Sequence, residues 1–261
     1  MIVESKPGAS GQIAAEHVAA APADGYTLFL TTNTTHSANP HLFKNLRYNP
    51  IEDFTPIVRI GYFPFVLLVN ATLPVNDIAE LVAYAKDNPR LANYAYTSSA
   101  GQIAAAALSN SMEMQAVGVA YKSAPEAITS LVGDQVLFTI LDFATTRGVL
   151  NGGKAKALAV TPEERTSLAP ELPTIVEATG LKDFGVVAWM GVFGPANLPS
   201  GITDRLSKEL SKILSSEEIT ERIATMGAEL AVANPDEFGE FVQNQLKVWE
   251  RQINIAGIEA Q

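Results

Sequence analysis

Tyr94-Ala95-Tyr96-Thr97-Ser98-Ser99-Ala100-Gly101-Gln102-Ile103-Ala104-Ala105-Ala106-Ala107 reads as a short strand that runs into small hydroxyl residues and a glycine, which open an alanine-rich helix. A strand-to-helix turn of this composition leaves unpaired backbone N–H groups at the positive end of the helix dipole, with hydroxyls beside them. That arrangement suits an anion, above all a carboxylate, without any charged side chain. The same residues also read more plainly, with Ser98 or Ser99 doing no more than capping its own helix.

Working outward, the pattern keeps alternating. Residues 117–121 form a strand, Ser123 caps a helix that stops near Gly133, and residues 136–141 form a strand ending in Asp142. A helix to about Leu150 and the turn Asn151-Gly152-Gly153 lead to a strand over 155–160. Upstream, the turn Asp24-Gly25 precedes a buried strand over 26–30, and strands follow at 57–60 and 65–69. Ile78, Leu81, Val82 and Ala85 fall at helical spacing behind an Asn76 cap, with Pro89 beyond. Residues 184–193 read as extended, and the remainder is mainly helical, closing on a long helix with Phe238, Phe241, Val242, Gln245 and Trp249 on one face. Strands alternating with helices make an α/β protein.

Four polar segments follow strand ends: residues 31–37, Thr97 to Gly101, Tyr121-Lys122-Ser123, and Asp142. Ligands of open α/β sheets sit beyond the carboxyl ends of strands. These segments are rich in neutral donors and poor in nucleophile–base pairs, which favours a binding pocket over a reaction centre.

The chain of 261 residues carries 18 Lys+Arg against 28 Asp+Glu, a formal charge of −10. That acid excess argues against nucleic acid, whose phosphates demand clustered cations, and against docking on an anionic membrane. With no cysteine, thiolate nucleophiles, disulfides and zinc knuckles are excluded. No apolar run is long enough for direct membrane insertion, and Met1-Ile2-Val3-Glu4-Ser5-Lys6 has no secretory-signal character. Gly148 to Lys154 satisfies G-x-x-x-x-G-K, but Ala155 replaces the metal-binding hydroxyl and a helix precedes where a strand should, so it reads as a helix-ending turn. His36 and His41, five apart around Asn39-Pro40, fit no metal spacing. No cofactor or metal is implied. Proline and glycine cluster near Phe63-Pro64 and from Trp189 to Pro195, marking two chain crossings between lobes. Lobe 1 would then hold residues 1–65 and 191–261, and lobe 2 residues 66–190. Phe63, Phe143 and Trp189 are candidates for setting pocket size.

Several stretches carry a family resemblance. Residues 3–11 (Val-Glu-Ser-Lys-Pro-Gly-Ala-Ser-Gly) and 23–28 (Ala-Asp-Gly-Tyr-Thr-Leu) resemble two signatures of the extracytoplasmic solute receptors of tripartite tricarboxylate transporters, also called Bordetella-uptake-gene-type receptors. The similarity continues in order through Tyr48-Asn49-Pro50, Asp53-Phe54-Thr55-Pro56-Ile57, Val119-Ala120-Tyr121-Lys122, Leu158-Ala159-Val160-Thr161, Leu172-Pro173-Thr174 with Glu177, and Trp189 with Gly191. The resemblance implies a type II periplasmic-binding-protein fold: two α/β lobes joined by two crossing strands, with a cleft between them. It implies a periplasmic receptor that captures a small carboxylate ligand, such as a di- or tricarboxylate, an acidic amino acid or an aromatic acid. Membrane permease subunits would be its partners. By the same resemblance Thr97, Ser98, Ser99, Ala100 and Gly101 would hold a ligand carboxylate. Tyr121, Lys122 and Ser123 would contact it from the next strand end, with Asp142 at the cleft base. Thr32, Asn33, Thr35 and His36 would face it from the first lobe, and Trp189 would line the pocket.

Family members also carry a signal peptide, a first strand and a glycine-rich loop ahead of the part resembling residue 3, so the resemblance implies an N-terminally truncated first lobe. The alternative is a cytoplasmic enzyme or sensory domain on the same two-lobed fold. An enzyme there would need a nucleophile or cofactor-bearing residue that the sequence does not offer.

Overall fold

The computed structural model describes residues 2–182 and 184–260. Its elements in chain order are helix α1 (Gln12–Ala19), strand β1 (Phe29–Thr32), a π-helical turn (Thr34–Ala38), α2 (Asn39–Leu42), β2 (Phe54–Phe63) and β3 (Phe65–Asn70). There follow α3 (Ile78–Asp87), β4 (Asn93–Tyr96), α4 (Ser99–Ser111), β5 (Val117–Ala120), α5 (Ala124–Val132), β6 (Phe138–Asp142), α6 (Phe143–Asn151) and β7 (Ala155–Val160). The chain ends with α7 (Ile175–Thr179), β8 (Ala188–Pro195), α8 (Ser200–Leu214), α9 (Glu217–Thr225), β9 (Glu229–Ala233) and α10 (Pro235–Ala256).

The strands form two sheets, ordered β1-β8-β2-β9 and β5-β4-β6-β3-β7. The first is antiparallel throughout. In the second, β4 runs parallel to β5 and β6, while β3 is antiparallel to β6 and β7. All six residues of β3 are buried, as a strand covered by helices on both faces requires. Leu67 and Leu68, on opposite faces, are 0% exposed, each worth about 1.5–3 kcal/mol of burial.

Between β2 of the first sheet and β3 of the second stands a single residue, Pro64, so one nearly continuous extended segment crosses from lobe to lobe. The return crossing enters the first sheet at Ala188, earlier than the glycine-rich run suggests. Ala188, Trp189 and Met190 already pair with β2. Phe65 conversely opens β3 of the second sheet. The last helix belongs to neither lobe alone. Phe238 and Val242 pack in the first-lobe core, whereas Trp249 and Ile253 pack in the second-lobe core with Ile103, Ala107 and Phe138.

Two other expectations change. The strand placed at 26–30 begins only at Phe29, because Asp24 accepts the N–H of Tyr26 (3.0 Å) and prolongs the turn; Tyr26 is 93% exposed. Asp77, not Asn76, caps α3, accepting from Glu80 N–H at 2.8 Å. The Gly148–Lys154 stretch is the end of α6, with Gly152 as its C-cap. No described helix is long and apolar enough to cross a membrane.

Candidate functional site

Strand register decides what stands at the edge of the second sheet. Tyr96 lies opposite Ala120 and Ala95 opposite Thr139, all in parallel, so β4, β5 and β6 end side by side. Each feeds a helix at once: α4 after Ser98, α5 after Ser123 and α6 after Asp142. Neighbouring strands lie about 4.8 Å apart, so three helix starts share one edge. That edge meets the crossing. Phe143 N–H donates to Pro64 O (3.0 Å), Thr161 N–H donates to Phe65 O (3.0 Å), and Tyr121 N–H donates to Tyr96 O (2.9 Å). The first sheet turns its own end the same way, since β2 finishes at Phe63, β8 starts at Ala188 and Thr32 of β1 lies opposite Met190.

The three helix starts differ electrically. Asp142 caps α6 with its own carboxylate, accepting from Thr145 N–H (3.0 Å) and from its hydroxyl (3.2 Å). A negative group already occupies that dipole end. At α4 the cap is neutral: Ser98 Oγ accepts from Gly101 N–H (3.2 Å) and Ser98 O from Gln102 N–H (2.9 Å). The amides of Ser99 and Ala100, the first of the helix, have no intrahelical acceptor. Ser98 and Ser99 are exposed, and Thr97 and Ala100 half-buried. Ser98 therefore does cap its helix, and the cap leaves two amides uncommitted at its exposed start. At α5, Ser123 makes no side-chain cap bond and Lys122 is exposed beside it.

Other expected site residues sit elsewhere. Gly101 is buried and faces the sheet: a Cβ there would lie 2.8 Å from Ile140 O, so glycine is needed for α4 to approach β6. The Tyr121 hydroxyl bonds Ser130 on the flank of α5, and its ring lines a surface hollow of about 340 Å³ with Pro125, Glu126 and Gln135. Phe143 is buried in the second-lobe core.

The first-lobe segment after β1 turns inward as a π-helical turn. Asn33, Thr35 and His36 are buried, leaving Thr32 and Thr34 as its half-exposed members. The hydroxyls are satisfied beneath the surface: Thr31 Oγ1 to Thr35 Oγ1 at 2.7 Å, and Tyr48 hydroxyl donating to Thr35 O at 2.8 Å. His36 is 0% exposed, stacks on Phe193 with ring centroids 4.0 Å apart, and burial pulls its pKa down to about 3. It is a neutral core ring rather than a contact for an anion. Trp189, also 0% exposed, donates to Ser37 Oγ (3.3 Å) and packs edge-on against Phe238 and Phe241, so it builds the core and presents no face to a pocket.

Two α/β lobes joined by crossing strands, with helix starts gathered at the edge beside the crossing, define a two-lobed solute receptor. The chain belongs to the family described as the tripartite tricarboxylate transporter family receptor, whose model matches residues 1–258. Among solved structures it is similar to R. palustris Rpa4515 with adipate (30% identity, TM-score 0.81, covering 100% of this chain and 87% of that one). It is similar as well to the periplasmic binding protein BugD (32%, TM-score 0.76, covering 100% and 88%). A third likeness is to MatC from Rhodopseudomonas palustris with bound malate (30%, TM-score 0.72, covering 94% and 85%). The fold is accordingly the type II periplasmic-binding-protein fold, and the chain is a member of a receptor family.

Proposed function

We propose that this receptor works in the periplasm, captures a small carboxylate and delivers it to the permease subunits of a tripartite tricarboxylate transporter. The observation that carries this reading is the neutral, exposed start of α4 beside the crossing strands. Its two uncommitted amides, with the hydroxyls of Thr97, Ser98 and Ser99, hold one carboxylate by preorganised dipoles. Lys122 and Ser123 stand at the next strand end and supply a cation and a further hydroxyl. Asp142, fixed as the cap of α6, repels a carboxylate from that helix start and so directs it towards α4. Thr32 and Thr34 approach from the first lobe. The cleft lies between residues 1–65 with 191–261 and residues 66–190, apart from the shared strand and helix described above. Adipate and malate, bound by the two R. palustris proteins, mark the size class to try first.

Titration calorimetry with adipate, malate and citrate, set beside the uncharged dimethyl ester of adipate, tests this reading. Saturable heat is expected from at least one acid, with the ester at least roughly tenfold weaker, since a lost charge-assisted bond costs about 1.5–3 kcal/mol. Ester and acid binding alike, or no acid binding at all, would overturn it.

A further inference from the structure

The two lobes touch on opposite sides of the crossing in different ways. On one side α10 runs across: Trp249 and Ile253 are sealed in the second-lobe core, and Asn110 Nδ2 donates to Ile255 O at 2.8 Å. On the other side the turn between α9 and β9 reaches the second lobe through polar contacts. The Arg147 guanidinium of α6 donates to Ala224 O at the end of α9 (3.4 Å). Gly227, at φ +75°, lies so close to the start of α6 that a Cβ would stand 2.8 Å from Ala144 N. Glu229 then accepts from the Thr166 hydroxyl and from Ser167 N–H (3.1 Å).

Both halves of the Glu229 contact are firmly mounted. Glu229 opens β9 and lies opposite Tyr62, one residue from the end of β2 and the crossing. Thr166 sits in the loop after β7, which Arg165 ties down by donating to Glu177 (2.9 Å) and to Pro170 O (3.2 Å). Glu177 in turn completes the capping box of α7 with Thr174, which gives the Leu172-Pro173-Thr174…Glu177 motif a structural task. The α10 interface buries large apolar side chains, Trp249 alone worth about 3–5 kcal/mol, whereas each hydrogen bond to the half-buried Glu229 carboxylate is worth about 1.5–3 kcal/mol. When the lobes move apart, the α9–β9 side is the one that gives, and it adjoins the start of α6 on the binding edge.

We propose that Glu229 is a latch between the lobes: bridged to Thr166 and Ser167 it holds them together, and its release opens the strand-end edge. Glu229 touches no ligand in this scheme and acts as a positioning residue. The inference deepens the receptor reading, resting on it only for the ligand that benefits from closure.

The absence of native cysteine makes the test direct. Spin labels are placed on Lys208→Cys in α8 and Lys154→Cys beyond α6, both exposed. Inter-label distances are then measured in the ligand-free protein, alone and with Glu229→Ala or Thr166→Val. Each variant is expected to move population to longer distances, by at least a roughly tenfold change in the closed-to-open ratio for Thr166→Val, the worth of one hydrogen bond to a charged group, and by more for Glu229→Ala, which loses both bonds. Urea midpoints close to that of the parent show that the shift is not unfolding. Unchanged distances in both variants overturn the latch. Adding adipate separates the two readings. If adipate draws the distances back, both stand. Latch-dependent distances with no response to any carboxylate sink the receptor reading alone.

Discussion

At the scale of single residues, His36 makes the strongest physical statement. It lies between Phe193 and Phe54, with its Nδ1 paired to the Thr35 hydroxyl at 2.9 Å and its Nε2 buried without a partner. Burial lowers its pKa from the usual 6.5 to about 3. Between those two values the unfolded chain takes up a proton that the folded chain refuses, so acid favours unfolding. The contribution to stability is complete above about pH 6.5 and is lost as the pH falls towards 3. The slope is about 1.4 kcal/mol per pH unit. Urea unfolding at pH 7 and pH 5 should show the wild type losing about 2 kcal/mol from this group alone. The variant His36→Phe, which keeps the stacking and removes the titration, should lose clearly less. Equal losses in both would mean that His36 titrates freely.

At the scale of elements, β4 and α4 behave as their residues dictate, down to Ser98 as the cap. The strand-end edge was legible because hydroxyls, glycine and alanine change the local backbone preference within a few residues. The segment after β1 was not, because seven polar residues in a row give no periodic sign of burial. Only long-range partners, Tyr48 and Trp189, reveal that the Thr35 carbonyl and the Ser37 hydroxyl lie inside. Trp189 misled for the reverse reason: a large aromatic beside glycines fits a pocket wall and a core equally well. The short strand β9 and the helix α9, which has no buried residue, also left little trace in sequence. Gly101 and Ser99 separate the two faces of the α4 start. Gly101→Ala drives a methyl towards Ile140 O and should cost about 1–3 kcal/mol in urea unfolding, weakening ligand binding only by displacing α4. Ser99→Ala, at an exposed position, should change stability by no more than about 0.5 kcal/mol. A stability loss at Ser99 larger than that at Gly101 would reverse the assignment of faces.

At the scale of the molecule, α10 makes two lobes behave as one. Two crossing strands alone would let each sheet, with its own helices and core, unfold separately. One helix that buries Phe238 in the first core and Trp249 in the second transmits the loss of either core to the other. The wild type should therefore unfold in a single transition, with tryptophan fluorescence and far-UV circular dichroism melting together. Trp249→Ala removes the larger anchor in the second lobe, at a cost of about 3–5 kcal/mol, and leaves Trp189 as the only tryptophan, reporting on the first lobe. In that variant the circular dichroism should begin to melt below the temperature at which Trp189 fluorescence changes, because the second lobe comes apart first. Two probes that still coincide at a lowered midpoint would place the coupling in the crossing strands instead, and α10 would then be an ordinary member of the first lobe.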